Sequence, residues 1–365
     1  MCISTPVLET SHLVPLAIKG IESMFDSETG LFCHRLRKTS SGLAREGISH
    51  RYTAMTLLGL LRAESVVTGS AIDTEAVVAR LFDSTVWVDN VGDLGLLLWL
   101  CANSSPKHLK QFYARFDLSR ALESYPDARR RFTMELSWFL TGLVLATNAG
   151  VANHHQLAKK TYNLLRANQG KQGLFGHMSA WHSVAGGFRG HIGSFADQVY
   201  PIFAMAHFSR IFSDSEARDN ALRCANAICS LQGSLGQWWW HYETITGRIV
   251  EHYPVYSVHQ HGMAPMALLA LTETCGADFH APIRTGLNWI TGTNELREDL
   301  EDQDAGVAWR CIHAQEAHSM LTGVRALAGN MPTPGSLRIL YECRPYELGW
   351  LLYALAPLSP PELTV

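Results

Sequence analysis

Apolar residues recur at spacings of three and four along most of the chain, which is the period of an amphipathic α-helix. Strand-like alternation is limited to short pieces such as 247–250. The pattern therefore predicts an all-α protein, with helices over residues 10–24, 51–64, 74–82, 94–102, 134–147, 155–167, 198–212, 217–231, 263–274, 282–290, 307–327 and 346–356.

Two kinds of helix alternate along the chain. One kind, such as 155–167 and 217–231, mixes polar and apolar residues, whereas the other, such as 198–212 and 263–274, is apolar nearly all round. A helix that is apolar on every side is buried, and an amphipathic helix covers it. We therefore expect an α/α toroid of about six helical hairpins, with inner and outer helix rings, that spans residues 1–365 as a single domain.

A repeated segment supports this architecture. Residues 168–177 reappear as 231–241, with one residue inserted after the glycine, and a weaker copy lies at 25–34. Self-similarity at a fixed period indicates a repeated unit, so matched positions on adjacent repeats should face a common cavity. At an offset of 64 residues, the matched positions are His177 with His241, Asp197 with His261, and Pro201 with Pro265.

The turn of this repeat is Ser230-Leu231-Gln232-Gly233-Ser234-Leu235-Gly236-Gln237-Trp238, which resembles the Gln-to-Trp repeat of the squalene cyclase and protein prenyltransferase superfamily. The resemblance covers residues 155–275 and implies α/α-toroid architecture. Class II cyclases of that group carry an Asp-x-Asp-Asp acid motif, and only Asp302-Gln303-Asp304-Ala305 comes close to it here. The helical pattern is also similar to that of α/α-toroid carbohydrate enzymes, which include glycosidases, uronate lyases and sugar epimerases.

The composition is that of a folded globular protein, with 47% hydrophobic residues and with 10 Trp, 11 Tyr and 14 Phe. The formal charge is −3 and the basic residues are scattered apart from 129–131, so no nucleic-acid partner is expected. No stretch approaches the ~18 apolar residues of a membrane span, and the first residues lack the basic start of a secretory signal. The eight cysteines stand singly, as reduced thiols do. We therefore expect a cytoplasmic protein that binds a small-molecule substrate; the sequence does not indicate its oligomeric state.

Polar residues gather where the predicted inner helices begin, which predicts an active-site rim at one mouth of the toroid. Asp197 is the first candidate because its repeat position matches that of a histidine. The candidates for proton transfer are Asp197, His259, His261, Glu135 and Glu347. The candidates for substrate binding are Arg51, Trp238, Trp240, His241, Tyr242, Arg310, Arg344, Tyr346 and Gln198.

Each of these groups also has a structural interpretation. A carboxylate at the start of a helix can cap it, an arginine can pair with a rim carboxylate, a histidine can be part of the core, and an aromatic cluster can pin a turn. A metal site is a further interpretation of the histidines. However, His259 and His261 are two residues apart, whereas a helical zinc site prefers a spacing of four. We therefore predict neither a metal nor another cofactor.

These features lead to three functional hypotheses. The first is an enzyme that acts on a sugar or sugar-like anionic molecule by general acid/base catalysis, as a hydrolase, lyase or epimerase. The second is a terpenoid cyclase or isomerase with Asp302 or Asp304 as the acid. The third is a non-catalytic helical-repeat scaffold. The polar rim favours the first, because arginine and carboxylate groups are costly to place against a hydrocarbon.

Overall fold

The computed structural model describes residues 10, 12–64, 66–68, 71–124, 132–178, 190–314, 336–358 and 363–364. In this part of the chain the helices alternate between two concentric rings. The outer helices are α1 (Leu13–Met24), α3 (Thr74–Asp83), α5 (Pro106–Tyr113), α6 (Leu118–Glu123), α8 (His155–Arg166), α10 (Ser215–Ser230) and α12 (His280–Ile290). The inner helices are α2 (His50–Ala63), α4 (Val91–Asn103), α7 (Thr133–Asn148), α9 (Ala196–Phe212), α11 (Ala264–Cys275), which follows a π-helix (His259–Met263), and α13 (Pro345–Leu355).

The inner helices pack side by side in the order α2, α4, α7, α9, α11 and α13, and α13 packs back against α2. This closed ring confirms the predicted α/α toroid. The inner helices are buried nearly all round, whereas an outer helix such as α8 buries one stripe of residues. Among the described residues, no helix is both long enough and apolar enough to cross a membrane.

Aromatic side chains from alternate inner helices meet at the centre of the ring. The ring of Trp99 in α4 stacks on Phe203 of α9 at 5.2 Å and on Trp350 of α13 at 5.4 Å between centroids. Trp350 also donates a hydrogen bond from Nε1 to the hydroxyl of Tyr200, at 2.9 Å. These buried rings fill the middle of the toroid and provide the floor beneath the mouth at which the inner helices begin.

The repeated segment forms the same turn twice. Nε2 of Gln169 donates to the carbonyl of Gly173 at 2.8 Å, and Nε2 of Gln232 donates to the carbonyl of Gly236 at 3.0 Å. Each amide also donates to a carbonyl of the following outer helix, α10 at 2.9 Å and α12 at 3.0 Å. Gly173 and Gly236 have φ angles of 91° and 100°, which glycine adopts without a Cβ penalty. The glutamine therefore closes the turn and ties it to the next repeat.

Backbone hydrogen bonds fix the register of the repeats. The N–H of Thr133 donates to the carbonyl of His177, and the N–H of Phe195 donates to the carbonyl of Trp240, both at 3.0 Å. His177 therefore corresponds to Trp240. The structure therefore aligns the two turns without the inserted residue that the sequence comparison required. His241 lies one residue after the position that matches His177.

The first turns of the inner helices are matched in the same way. The N–H of Ser257 donates to a loop carbonyl of the next repeat at 2.9 Å, as the N–H groups of Thr133 and Phe195 do. The residues at the level of Asp197 are therefore Glu135 in the preceding inner helix and His259 in the following one. His261, which the sequence offset had matched to Asp197, lies two residues farther along, within the π-helix.

Short strands occupy the connections between helices, and one lies after the last helix. They are β1 (Phe25–Asp26), β2 (Leu31–Thr39), β3 (Gly42–Ile48), β4 (Val67–Thr68), β5 (Ile192–Ser194), β6 (His241–Glu243), β7 (Arg248–Glu251), β8 (Val255–Tyr256), β9 (Glu301–Asp302), β10 (Val307–Ala308), β11 (Cys311–Ala314), β12 (Leu337–Leu340), β13 (Glu342–Cys343) and β14 (Leu363–Thr364). The hairpin of β2 and β3 was not predicted, because its polar and apolar residues do not alternate regularly.

The helix predicted over 307–327 is wrong where the structure describes it. Residues 307–308 and 311–314 are strands, and residues 315–335 lie outside the described part of the chain. Val307, Ala308 and Ile312 are buried on both faces of their strands. A short apolar run of this kind has the same appearance in a buried strand as in a buried helix.

The Asp-x-Asp-Asp-like segment is a hairpin turn. The carboxylate of Asp302 accepts the N–H of Ala305 at 2.9 Å, between β9 and β10. Asp26 accepts the N–H of Thr29 in the same way at 2.9 Å, between β1 and β2. Asp302 thus stabilises a turn that recurs in the fold, and Asp304 is exposed on that turn. This geometry gives no support to an acid for a terpenoid reaction.

Candidate active site

Strands β5, β6 and β7 form an antiparallel sheet at the mouth where the inner helices begin. In its register Ser194 lies opposite His241, and His241 lies opposite Glu251. Residues that are directly opposite in antiparallel strands have Cβ atoms about 4.5–5.5 Å apart and share a face of the sheet. The sheet therefore holds three polar side chains in one row.

Asp197 reaches the same place from the first turn of α9, which begins directly after β5. The backbone N–H and the hydroxyl of Ser194 each donate to Oδ2 of Asp197, at 2.9 Å. The start of α9 is fixed by the buried Gln198, whose amide exchanges two 2.8 Å hydrogen bonds with the backbone of Phe175. Gln198, predicted to bind substrate, thus positions Asp197 instead.

His177 faces Asp197 from the loop that follows the repeated turn. Its Nδ1 lies 3.2 Å from Oδ2 of Asp197, and its ring packs on Phe132 with 4.8 Å between centroids. The hydrogen bond to Asp197 raises the pKa of His177; burial opposes this increase and the charge of Glu135 adds to it. The side chain of His177 remains 46% exposed. The protonated imidazole is therefore stabilised at a position that a substrate can reach.

A cavity of about 270 Å³ lies between these groups and is lined by His177, Ile192, Ser194, Asp197 and His241. His241 also engages a carboxylate, because its Nδ1 contacts Oε2 of Glu251. Both imidazoles thus use Nδ1 for a carboxylate, and Nε2 is the nitrogen through which each can exchange a proton with a ligand. A larger groove of about 930 Å³ lies at the opposite end, between α6 and α8, away from these pairs.

The other predicted catalytic residues lie in different surroundings. Glu135, in the first turn of α7, is close enough for its charge to act on His177. His259 and His261 are 3% and 0% exposed in the π-helix, and burial lowers the pKa of each to about 3. The ring of His259 packs on Phe195 at 4.5 Å between centroids. The structure therefore places both of these histidines in the core, where burial disfavours their protonated form.

Arg51 forms a bidentate pair across the rim. Its Nε and Nη2 donate to the two carboxylate oxygens of Asp93 at 2.5 and 2.6 Å. Burial raises the pKa of Asp93 to about 6, against the opposing effect of Arg51. The side chain of Arg51 is 42% exposed, so its guanidinium is partly accessible to solvent although it is paired.

Arg310 and Arg344 belong to a second, more deeply buried network. Arg310 pairs with Glu347 and lies 3.1 Å from Glu342, while Arg344 lies 3.4 Å from Glu342. The carboxylate of Glu347 also accepts the backbone N–H of Arg344 at 3.0 Å, at the start of α13. Burial raises the pKa of Glu347. Glu347 is therefore a helix cap and an ion-pair partner in this structure, and its carboxylate is closed to solvent.

The predicted aromatic cluster is divided between the core and the mouth. Trp238 and Tyr242 are fully buried, so they support the wall of the toroid and do not contact its cavity. Trp240 is partly exposed and packs on Tyr256 at 5.0 Å between centroids, and the guanidinium of Arg310 lies 4.9 Å from the ring of Tyr256. Tyr346 packs on Tyr52 at 4.6 Å, beside the Arg344 network.

Three site residues were not selected from the sequence: His177, Ser194 and Glu251. His177 had a visible signal, since it ends the repeated turn, and Ser194 stands three residues before Asp197, as capping residues do. Glu251 had no local signal, because its contact with His241 depends on strand pairing. In the described part of the chain, no three side chains among His, Cys, Asp and Glu are grouped so as to hold a metal ion.

Neither a protein-family model nor a curated protein matches the sequence. Several solved structures match nearly the whole chain. An unsaturated glucuronyl hydrolase from Bacillus sp. GL1 is 14% identical, with a TM-score of 0.58 over 95% of this chain and 95% of its own. An unsaturated glucuronyl hydrolase variant from Streptococcus agalactiae, in complex with dGlcA-GalNAc6S, is 11% identical, with a TM-score of 0.61 over 98% and 94%. A sugar epimerase from a ruminal bacterium is 10% identical, with a TM-score of 0.61 over 95% and 96%. Identities this low establish only that the chain shares the α/α-toroid fold of these structures.

Proposed function

We propose that this protein is an enzyme that acts on a sugar by general acid/base catalysis in the cavity at the mouth of the toroid. The observation that carries the proposal is the presence of two histidine–carboxylate pairs on one cavity, His177 with Asp197 and His241 with Glu251. Positioned imidazoles are the side chains most often used for proton transfer, and each needs a partner that fixes its tautomer.

One pair can serve as the general acid of the reaction and the other as its general base. Because Asp197 stabilises the protonated form of His177, this imidazole is suited to donate a proton from Nε2. We assign the accepting role to His241, which lines the same cavity and has Glu251 behind its Nδ1. Ser194 holds Asp197 by two hydrogen bonds and therefore acts through that carboxylate.

The shared fold supports a reaction on a carbohydrate. The structural neighbours named above are hydrolases and an epimerase of sugars. Proton transfer by a positioned side chain serves hydrolysis, elimination and epimerisation alike. The proposal therefore covers these three reaction classes, with a small-molecule sugar as the substrate.

The experiment is a product screen with matched variants. The protein is incubated with mono- and disaccharides in D₂O, and NMR follows both new anomeric signals and the incorporation of deuterium at carbon. Turnover is expected with at least one sugar, and His177→Gln and Asp197→Asn should each lower it by about 10²–10⁴. Asp219→Asn, which removes an exposed carboxylate on α10 that pairs with its neighbour Arg218, is the control and should retain turnover. Folded protein that neither cleaves a sugar nor exchanges its protons would refute the proposal.

A further inference from the structure

Gln198 lies between the two segments that carry the His177–Asp197 pair. His177 lies two residues after Phe175, and Asp197 lies three residues after Ser194. Gln198 is 0% exposed, and its amide contacts both segments. Oε1 accepts the N–H of Phe175 at 2.8 Å, and Nε2 donates to the carbonyls of Phe175 at 2.8 Å and Ser194 at 3.1 Å. One amide therefore joins the turn that leads to the imidazole and the residue that holds the carboxylate.

The hydrogen-bonding groups of this amide are all engaged. Nε2 has two hydrogens and donates both, while Oε1 accepts a second, longer contact from Sγ of Cys224 at 3.7 Å. A rotation of the amide would leave buried groups without partners, which is costly. The separation between Phe175 and Ser194 is therefore set by the length of one side chain.

Gly193 permits the close approach of the two segments. A Cβ at this position would lie 2.1 Å from the carbonyl oxygen of Phe175 and 2.7 Å from Nε2 of Gln198. The N–H of His177 also donates to the carbonyl of Ile192, at 3.2 Å. The backbone of β5 thus lies directly against the turn, and the amide of Gln198 completes this contact.

The next repeat provides an internal comparison, because Gln260 lies there at the level of Gln198. Nε2 of Gln260 donates to the carbonyl of Tyr256, four residues earlier, at 3.3 Å. This bond corresponds to the one between Gln198 and Ser194. However, Oε1 of Gln260 has no hydrogen-bond partner among the described residues. Of these two glutamines, only the one in the repeat that carries the imidazole and the carboxylate is bonded to the repeated turn.

We propose that Gln198 is a positioning residue of the site, and that its amide sets the distance between the imidazole of His177 and the carboxylate of Asp197. This inference rests on the proposed function and deepens it, because it assigns the geometry of the pair to a side chain outside the cavity. The described residues that line the cavity do not include Gln198. The pair is 3.2 Å apart, so a small displacement of either segment breaks its hydrogen bond.

The test is an NMR titration of His177 in Gln198→Met, with Gln260→Met as the matched control. Methionine has a similar length and removes the polar atoms of the amide. Asp197 and Glu135, which raise the pKa of His177, remain in both variants. A fall of the His177 pKa toward 6.5 in Gln198→Met is expected, because the contact with Asp197 lengthens. Gln260→Met should leave this pKa unchanged.

Kinetics with the sugar found in the product screen provide a second measurement. Gln198→Met should lower kcat by about 10²-fold, the effect of a displacement of ~1 Å at a reacting group. KM should change little, because Gln198 does not line the cavity. Gln260→Met should retain the wild-type kcat. Gln198→Asn keeps the amide on a side chain one methylene shorter, which cannot bond to both segments, and it replaces Gln198→Met if that variant does not fold.

The outcomes separate this inference from the proposed function. A wild-type His177 pKa in folded Gln198→Met, or in Gln198→Asn where the first variant does not fold, would overturn the inference whether or not a sugar is turned over. Equal falls in Gln198→Met and Gln260→Met would also overturn it, since a general loss of packing would explain both. Failure of both Gln198 variants to fold would assign the residue to stability and overturn the inference as well. A lowered His177 pKa in Gln198→Met, with no turnover by the wild type, would refute the proposed function and leave Gln198 as the residue that positions the pair.

Discussion

Asp197 engages His177 across two different elements, with Oδ2 of the carboxylate 3.2 Å from Nδ1 of the imidazole. The histidine ends a repeated turn, and the aspartate lies in the first turn of an inner helix. Because the same oxygen accepts the N–H of Ser194, the helix start fixes the carboxylate and the carboxylate fixes the imidazole. Both the charge state of His177 and its tautomer therefore depend on Asp197.

The first prediction concerns pH. The pKa of His177 in the folded protein should lie above the 6.5 of the free side chain, and Asp197→Asn should lower it, as NMR titration of the imidazole would show. A raised folded-state pKa adds stability that is fully present below about pH 6.5 and is lost as pH rises through the folded-state value. The difference in free energy of unfolding between the wild type and His177→Gln should therefore shrink with rising pH. A His177 pKa at or below 6.5 would contradict this.

Asp197→Asn should separate catalysis from stability. The amide keeps an oxygen that can accept from Ser194 but cannot hold a protonated His177, so kcat should fall by about 10²–10⁴. The free energy of unfolding should change by about 1 kcal/mol, the scale of a helix-cap substitution. Steady-state kinetics and urea unfolding measure the two effects. Unfolding at mild denaturant with normal kcat in the folded fraction would show that Asp197 is a cap alone.

The repeated turn provides a stability prediction. Gly236 has a φ of 100°, and a Cβ added there would lie 2.1 Å from the carbonyl oxygen of Thr285. Gly150 also has a positive φ, of 75°, but a Cβ there would meet nothing within 4 Å. Both Ala variants should lose roughly 1 kcal/mol to backbone strain. Gly236→Ala should lose clearly more, because the backbone of α12 must move, and equal losses in urea unfolding would argue against the clash.

The fold could be predicted because its signal is local. Apolar helices alternate with amphipathic ones, and the turn from Gln232 to Gly236 uses a glutamine and a glycine in the same way as its copy. The register of the repeat could not be determined from the amino-acid sequence alone. Matching His177 to His241 required an insertion, whereas the backbone pairs His177 with Trp240.

The site was less predictable because its contacts join distant elements. Asp197 was selected from the sequence and lies in the first turn of α9, but its partner His177 lies in another connection. His259 and His261 had equally suggestive positions in the sequence, and only packing reveals that both are enclosed by the core. Glu251 reaches His241 through the pairing of two short strands, and the predominantly helical sequence pattern does not predict that pairing.

The Arg310 network should be a determinant of stability. Arg310→Met leaves Glu347 and Glu342 buried with a missing cation, so the free energy of unfolding should fall by about 3–5 kcal/mol. Arg210→Met breaks an exposed pair with Glu273 and should cost about 0.2–1 kcal/mol. Adding Glu347→Met to Arg310→Met should restore part of the loss. Similar losses for Arg310→Met and Arg210→Met would show that the buried network contributes no more than a surface pair.

The final prediction tests whether the two imidazoles serve one reaction. His177 and His241 line the same cavity, and each has a carboxylate behind Nδ1, so a single substrate can contact both Nε2 atoms. Each His→Gln variant should lower kcat by about 10²–10⁴, the usual contribution of a general acid or base. Groups that act in one step are not additive, because removing the first already abolishes what the second assists. The double variant should therefore lose less than the product of the two single losses.

Glu251→Gln provides the matched control for that cycle. It leaves the imidazole of His241 in place and weakens only its carboxylate partner, so the fall in kcat should be smaller than that of His241→Gln, with KM little changed. Multiplicative losses in the double variant would show that the two pairs act in separate steps. A normal kcat for His241→Gln would assign the chemistry to His177 and Asp197 alone. His241 would then only line the cavity, in its position between Ser194 and Glu251 in the sheet.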